Sequence, residues 1–144
     1  MDTLTPEQRS ERMSRVRAKD TKPEMLVRRL VHALGYRFRL HRKDLPGAPD
    51  LVFPGRRKVI FVHGCFWHRH EDCRLARLPK SRREFWVEKL EGNRLRDRAN
   101  QLRLVEMGWR SLVIWECETR DSNVLRERVR HFLEEGEKGD VTIT

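Results

Sequence analysis

The stretch HGCFWHRHEDC, residues 63–73, constrains this chain more than any other part of the sequence. It holds three histidines, two cysteines, two acids and two aromatic residues in eleven positions, and a third cysteine, Cys117, lies far along the chain. Three cysteines are an odd number, so a disulfide framework is not expected, and metal binding and plain burial are both open. The stretch can serve as a metal cage, a catalytic centre or a ligand-contacting surface, or as several of these.

The charge of the chain indicates a polyanionic partner. Lys and Arg total 32 against 22 Asp and Glu, which gives a net charge of +10 in 144 residues. The basic residues are interleaved with acids, as is typical of a folded domain with a positive face. Nucleic acid is the favoured partner, ahead of an anionic membrane, because no basic amphipathic helix with a broad aromatic face supports membrane binding.

The length of the chain predicts one domain with a single core. No apolar run approaches the roughly 20 residues of a membrane span, and the first ten residues lack the profile of a signal peptide. We therefore expect a cytoplasmic protein without a membrane segment.

Four segments carry helix signals. Capping-box patterns predict three helix starts, at TPEQ (5–8), TKPE (21–24) and SRRE (81–84). The first opens a basic helical arm over residues 1–20. The second helix should stop at Gly35, and the third should run to Gly108 with a weak point or kink at Gly92. A last amphipathic helix should end at Gly136, and residues 137–144 are expected to form a flexible tail.

Strand signals lie between the predicted helices. Residues 36–41 alternate apolar and polar side chains, as a half-buried strand does, and residues 51–53 and 58–62 flank Pro54 and Gly55 like a hairpin. Residues 109–115, WRSLVIW, suit an interior strand. The order α, α, β, β, β, α, β, α predicts an α/β fold, a single domain with a small mixed β-sheet flanked by helices.

Asp50 is the first candidate for chemistry. It stands at the boundary between a turn and a strand, where a structural turn aspartate is the ordinary interpretation. The predicted hairpin brings His63 and the backbone near Val62 close to it, and a carboxylate beside a carbonyl oxygen suits Mg²⁺. Pro49 and Asp50 followed by a hairpin form the skeleton of PD-(D/E)xK nucleases, although FVH replaces the later acid and lysine of that motif.

Several segments carry a closer resemblance. They are DTKPE, LPGAPDLVF, VIFVHGCFWHRH, EFWVEKL, NRLRDR and GWRSLVIWEC. In this order and spacing, over residues 6 to about 133, the chain resembles the very-short-patch repair (Vsr) DNA mismatch endonucleases, divergent members of the PD-(D/E)xK nucleases. The resemblance implies a restriction-endonuclease-like domain over residues 21–136.

The implied activity is a nick in duplex DNA 5′ to the T of a T:G mismatch, which starts repair of deaminated 5-methylcytosine. Double-stranded DNA with that mismatch is the implied substrate, and a DNA cytosine-5 methyltransferase is the implied functional partner. We expect a monomer that works in the cytoplasm, associated with the nucleoid. A nuclease of the same fold that cuts unmismatched DNA, and a zinc-stapled DNA-binding module without activity, are the alternatives.

Zinc is the first cofactor to consider. Cys65, His70 and Cys73 lie within nine residues, Cys117 ends a predicted strand, and three thiolates with an imidazole suit tetrahedral Zn²⁺. Buried free cysteines are the alternative, and the resemblance implies a structural site. Two residues separate His70 from Cys73, one more than expected for the family, so Asp72 is an alternative fourth ligand.

Mg²⁺ is the second cofactor, and the resemblance implies that Asp50 and the backbone carbonyl of Val62 hold it. His68 then takes a proton from the attacking water, because an imidazole held between zinc ligands is pre-positioned for that role. An exposed surface histidine is the alternative interpretation. The products are a 5′-phosphate and a 3′-hydroxyl.

Three further residues are supporting catalytic candidates. Glu24 and Asp97 have ordinary interpretations, as a capping-box acid and a solvated helix acid. The resemblance implies that they hold metal-bound water or orient His68, and His63 is placed to hydrogen-bond the scissile phosphate.

The resemblance also implies an aromatic wedge of Phe66, Trp67 and Trp86 that enters the DNA beside the mismatch. Regular packing should not easily bury the loop pair Phe66 and Trp67, whereas core packing is the default for Trp86.

The basic arm should add further contacts to the DNA. Arg12 and Arg15 can neutralise phosphates, and Met13 and Val16 can press into the minor groove opposite the wedge. Packing of Met13 and Val16 against the domain is the alternative.

Overall fold

The computed structural model describes residues 21–135 and shows one mixed sheet between helices. Within this range lie the helices α1 (Lys22–Ala33), α2 (Arg83–Glu106) and α3 (Ser122–Glu134), and the strands β1 (Arg39–Leu40), β2 (Leu51–Phe53), β3 (Lys58–His63) and β4 (Arg110–Trp115). The sheet order is β1-β2-β3-β4, antiparallel except for the parallel pair β3 and β4. The predicted α/β fold is confirmed. The arm over residues 1–20, with Arg12, Met13, Arg15 and Val16, and the segment from Gly136 onward lie outside the described residues.

Helix α1 begins and ends where its sequence predicts. The Thr21 side chain accepts a hydrogen bond from the Glu24 backbone N–H at 3.4 Å, and Pro23 lies in the first turn. Gly35, with φ +91°, terminates the helix because L-residues rarely adopt that conformation. The fully buried Val27 and Val31 face the sheet and position Glu24 at the N-terminal end of the helix.

Helix α2 begins differently from the prediction. Its N-cap is Arg82, with φ +56° and no side-chain cap hydrogen bond, so the capping box predicted at Ser81 is wrong. Ser81 lies within the preceding turn, one residue too early to cap the helix. The helix then runs through Gly92 without interruption to Glu106 and is followed by Gly108 at φ +83°. Its length allows it to carry Asp97 to the site described below.

The hairpin of β2 and β3 is confirmed, with register Leu51 to Ile60 and a short 3₁₀ turn over Pro54–Arg56. The strand predicted over residues 36–41 is wrong in extent, since β1 holds only Arg39 and Leu40 and both are exposed. The chain leaves the strand conformation at His41, where φ is +48°.

Strand β4 lies at the edge of the described sheet, so its prediction as an interior strand is wrong. Helices cover its apolar side chains on both faces of the sheet, and among the described residues no further strand pairs with its outer backbone edge. Ile114 packs in the core cluster that contains residues of α1 and α3, whereas Val113 packs on the opposite cluster with Leu104 of α2. An apolar edge strand between helices has the same residue pattern as an interior strand.

The core therefore has two layers, one on each face of the sheet. Alternation along β2 directs Leu51 and Phe53 to the layer of α1 and α3, and Val52 to the layer of α2. Burial of each such side chain contributes about 1.5–3 kcal/mol, so both layers hold the sheet rigidly behind the site. Within residues 21–135 no helix is both long and apolar enough to cross a bilayer.

Candidate active site

A cleft of about 1060 Å³ lies at the end of β3, and six of the polar residues that line it form the candidate site. Five of them were predicted as site residues, and the sixth is His41. They come from both sides of the sheet and are Glu24, His41, Asp50, His63, His68 and Asp97. The hairpin supplies Asp50 and His63, α1 supplies Glu24, and α2 supplies Asp97. We refer to these residues and the space between them as the cleft.

Asp50 is fixed against the neighbouring strand. Its Oδ2 accepts a hydrogen bond from the Val62 backbone N–H at 2.7 Å. The N–H and C=O of one residue in an extended strand point to the same edge, so the Val62 carbonyl also faces the side of Asp50. This arrangement fits the hypothesis that Asp50 and the Val62 carbonyl share a cation.

The environment of Asp50 favours a bound cation. Burial and, to a smaller extent, the nearby Glu24 carboxylate together raise the pKa of the Asp50 carboxyl to about 7, against the opposing hydrogen bond from Val62. Two acids in one partly buried site repel each other when both are ionised. A divalent cation between them removes that repulsion.

His41 belongs to the site and was not among the predicted site residues. Its Nε2 lies 3.0 Å from Glu24 Oε2 and 3.8 Å from Asp50 Oδ1. One ligand atom from each of Glu24, His41 and Asp50 lies within 4.8 Å of the others, a donor set that fits a divalent cation. Glu24, 3% exposed, also pairs with Arg28. The strand alternation had placed His41 on an outward-facing position, and no feature of the sequence indicated otherwise.

His68 and Asp97 form a hydrogen-bonded pair across the cleft. His68 Nδ1 lies 2.5 Å from Asp97 Oδ2. A carboxylate at Nδ1 favours the tautomer with the proton on Nδ1, which leaves the Nε2 lone pair free to accept a proton. The pairing supports the predicted role of Asp97 as the residue that orients His68.

His63 packs face to face on His68. The ring centroids are 3.7 Å apart with an interplanar angle of 4°. Burial and, to a smaller extent, His68 together lower the pKa of His63 to about 3, against the opposing charge of Asp97, so its ring is neutral at neutral pH. Among the described residues its buried Nδ1 has no hydrogen-bond partner. A buried polar atom without a partner is costly, which suits a nitrogen that meets a ligand in the cleft.

Four sulfur and nitrogen ligands meet beside the cleft. One atom from each of Cys65, His70, Cys73 and Cys117 lies within 4.8 Å of the others. Cys117 Sγ is 3.5 Å from His70 Nδ1, and the His70 ring stacks on Trp115 with centroids 4.0 Å apart. Three thiols and an imidazole at this separation fit tetrahedral Zn²⁺. We call this set the thiol cluster.

The local structure explains how the thiol cluster forms. The parallel register aligns Val62 with Ile114 and His63 with Trp115, which brings Cys117 beside the loop that follows β3. Burial raises the pKa of the Cys65 thiol to about 12, so a bound cation is needed to favour its thiolate. Asp72, the alternative ligand, is exposed with φ +55° and lies outside the cluster.

The aromatic residues proposed as a wedge form their own cluster. Trp67 is 5% and Trp86 4% exposed, packed with Leu90, and Phe66 makes edge contacts to both tryptophans. The expectation that regular packing cannot easily bury the loop pair is wrong for Trp67, because α2 supplies Trp86 and Leu90 to cover it. Phe66 and Trp67 line the cleft. Contact of these rings with DNA bases stays a prediction, and for the two tryptophans it requires the cluster to open.

The fold is restriction-endonuclease-like, and the family match places the chain in the class of DNA endonucleases. A family model described as DNA mismatch endonuclease Vsr matches residues 1–75. The chain belongs to this Vsr family.

Three relatives in the comparison have similar lengths. The chain is 55% identical over 133 residues to type II nicking enzyme V.XorIIP of Xanthomonas oryzae pv. oryzae, covering 92% of this chain and 97% of the relative. It is 44% identical over 128 residues to DNA mismatch endonuclease Vsr of Escherichia coli, covering 88% and 81%. It is 39% identical over 134 residues to type II nicking enzyme V.NmeAIP of Neisseria meningitidis, covering 93% and 95%.

Proposed function

We propose that this endonuclease nicks duplex DNA 5′ to the T of a T:G mismatch and so starts the repair of deaminated 5-methylcytosine. The observation that carries the proposal is the cleft, where the His68/Asp97 pair and the Glu24/His41/Asp50 cluster both line one space. A base and a cation site facing one phosphate are the parts that phosphodiester hydrolysis needs. A relative named as a mismatch endonuclease supports the proposed mismatch substrate, and relatives named as nicking enzymes support the proposed cut in one strand.

The cation is Mg²⁺ in this proposal, and Asp50 and the Val62 carbonyl are the residues that hold it, with Glu24 beside them. When bound, Mg²⁺ neutralises the negative charge that develops on the phosphate. His68 Nε2 takes a proton from the attacking water, whose oxygen forms the new bond to phosphorus. The bond from phosphorus to the 3′ oxygen breaks, solvent water protonates the departing 3′ oxygen, and His68 returns its proton to solvent. The products are a 5′-phosphate and a 3′-hydroxyl.

Two neighbours hold His68 in place for this proton transfer. Asp97 keeps the proton on Nδ1 and stabilises the imidazolium that forms. His63, neutral and stacked on the ring, fixes its plane and offers a ring nitrogen to the scissile phosphate. Orientation of the base, more than its intrinsic basicity, is the contribution of these two side chains.

Zn²⁺ in the thiol cluster has a structural role in this proposal. Cys65, His70, Cys73 and Cys117 would supply all four ligands that a structural Zn²⁺ takes. Cys65 and His70 are on either side of His68 in the sequence, and a cation that binds both restrains the short loop carrying the catalytic imidazole.

Recognition of the mismatch is assigned to the aromatic cluster and to the basic arm. Phe66, Trp67 and Trp86 enter the base stack, at a cost of roughly a few kcal/mol that a weakly stacked mispair lowers. Arg12 and Arg15 neutralise phosphates, while Met13 and Val16 contact the minor groove.

The wider assignments follow from the substrate. The enzyme acts as a monomer on nucleoid DNA in the cytoplasm, where a DNA cytosine-5 methyltransferase supplies the 5-methylcytosine whose deamination creates the T:G pair.

A panel of strand-labelled duplexes tests the proposal. With Mg²⁺, the wild type should cut the T:G duplex once, 5′ to the T, and leave matched and other mismatched duplexes intact. His68→Ala should slow nicking by about 10²-fold or more, because it removes the general base. His32→Ala, at an exposed histidine in the last turn of α1, is the matched control and should keep full activity.

Two outcomes contradict the proposal and identify its alternatives. Equal cutting of matched DNA indicates a nuclease of the same fold with another target. Binding to DNA without cutting any duplex indicates a DNA-binding module in which His68 and Asp50 are structural.

A further inference from the structure

We propose that His41 is a direct ligand of the cation in the cleft, and that it makes the site prefer a transition-metal dication such as Mn²⁺ over Mg²⁺. This inference rests on the proposed function in one respect, the presence of a cation beside Asp50. It changes the donor set from oxygen alone to oxygen and nitrogen.

The distances around His41 match those between ligands of one ion. Its Nε2 is 3.0 Å from Glu24 Oε2 and 3.8 Å from Asp50 Oδ1. In an octahedral site with bonds of about 2.1 Å, adjacent ligand atoms are about 3.0 Å apart and opposite atoms about 4.2 Å apart. Both distances lie within this span, and the three ligand atoms all lie within 4.8 Å of one another.

The backbone holds the imidazole in this position. His41 has φ +48°, which is uncommon for a residue with a side chain, and its N–H donates to the Asp50 carbonyl at 3.3 Å. The side chain is 14% exposed and lines the cleft. An uncommon backbone conformation that directs a polar side chain at two carboxylates is a reason to infer a function for it. The competing interpretation is an ordinary hydrogen bond from His41 to Glu24.

The chemistry of the imidazole determines which cation benefits. Mg²⁺ prefers oxygen ligands and retains its waters, so a nitrogen ligand adds little to its affinity. First-row transition metals bind imidazole well, and Mn²⁺ also accepts carboxylate and carbonyl oxygens. A site of Glu24, His41 and Asp50 therefore suits Mn²⁺ better than a site of carboxylates alone.

The test measures cation binding by zinc-loaded protein without DNA, with Mn²⁺ and Mg²⁺ as probes. His41→Gln should weaken Mn²⁺ binding by about tenfold or more while changing Mg²⁺ binding less than about threefold. His41→Asn should give the same result, since asparagine tolerates positive φ and so removes the imidazole with less strain. His32→Gln, an exposed histidine of α1, is the matched control and should change neither affinity.

A spectroscopic measurement makes the assignment direct. Bound Mn²⁺ should show electron spin echo modulation from a coordinated nitrogen in the wild type and in His32→Gln, and this signal should disappear in both His41 variants. Unchanged Mn²⁺ binding in the His41 variants overturns the inference. Equal losses for Mn²⁺ and Mg²⁺ overturn it as well, because His41 then only positions the carboxylates.

Failure of this inference is distinguishable from failure of the proposed function. A wild type that binds Mn²⁺ through His41 but cuts no duplex contradicts the proposed function and leaves His41 as a ligand. Mn²⁺ binding that survives Asp50→Asn places the cation elsewhere and overturns the inference, whatever the nicking assay shows.

Discussion

Two sets of metal-type ligands lie near the end of β3, and they are assembled in opposite ways. The thiol cluster takes three of its four ligands from nine consecutive residues, 65–73, and the fourth, Cys117, from the 3₁₀ helix that follows β4. The candidate cation ligands of the cleft each come from a different part of the fold: Glu24 from α1, His41 from the residue after β1 and Asp50 from the residue before β2.

This difference predicts that the thiol cluster mainly affects the stability of the fold, whereas the cleft mainly affects the reaction. A cluster made by the loop after β3 and the 3₁₀ helix after β4 links those two segments, so a bound cation should contribute to the free energy of folding. A cluster made by three elements exists only after the sheet and α1 have packed, so its carboxylates are held against their mutual repulsion by the fold. We expect changes in the thiol cluster to affect stability first, and changes in the cleft to affect the reaction with the fold intact.

The largest expected effect follows from Cys117→Ser. Bound zinc should fall from about one per chain, and Tm should drop by roughly 10 °C or more, because loss of a metal site is among the most destabilising single changes. Metal analysis and thermal melts measure both. Asp72→Asn is the matched control within the same loop and should retain zinc. Retention of zinc by Cys117→Ser, or loss of zinc from Asp72→Asn, would contradict Cys117 as the fourth ligand and favour Asp72 instead.

Asp50→Asn should have the next largest effect, and it should act on activity alone. Nicking should fall by about 10³-fold, because the substitution removes a negative ligand of the cation that stabilises the transition state. Zinc content should be unchanged, and Tm without added Mg²⁺ should not decrease. Loss of zinc in this variant would show that the cleft and the thiol cluster do not act independently.

The same contrast explains what could be predicted from the sequence. The thiol cluster was predictable because cysteines are rare and three of its ligands are local in sequence, while the hairpin signal placed Asp50 beside Val62. His41 was missed because strand alternation predicts side-chain direction only while the strand continues, and φ +48° ends it there. The contact between His68 and Asp97 depends on how α2 packs across the cleft, which residue spacing does not encode.

Burial of the aromatic residues was hard to predict for a related reason. Whether Trp67 is exposed depends on Trp86 and Leu90, which α2 brings to the loop from about 20 residues further along the chain. In the same way, the apolar pattern of β4 predicts that both of its faces are covered, but it does not predict whether a further strand pairs with its backbone edge.

Asp97→Asn should have a smaller effect within the cleft. Nicking should fall by about 10–100-fold, by analogy with the loss when a carboxylate that orients a metal-bound histidine is changed. Zinc content and cation affinity should stay as in the wild type. Asp44→Asn is the control, because Asp44 pairs with Arg42 on the surface, its side chain is 62% exposed, and such pairs contribute little. Equal activity of the two variants would show that Asp97 does not position the base.

The smallest expected effect is a pH dependence in the cleft. With the Asp50 pKa raised from 3.8 to about 7, protons compete with the cation below that pH, and cation affinity at pH 6 should be about tenfold weaker than at pH 8. Titration calorimetry at several pH values measures this. Glu24, His41 and Arg28 surround the carboxyl, so Asp50→Asn in an otherwise intact site is the control.

The raised pKa of Asp50 also has a stability consequence of determined sign. Between pH 3.8 and about 7 the folded protein binds more protons at Asp50 than the unfolded chain, so this group makes stability fall as pH rises through that window. Without added Mg²⁺, the stability of Asp50→Asn relative to the wild type should therefore increase from pH 4 to 7 and stay level above. Denaturant melts of zinc-loaded protein measure the difference. A stability difference that is constant with pH would mean that the ionised Asp50 carboxylate does not destabilise the folded state. The contrast between the cleft and the thiol cluster would then have no electrostatic explanation.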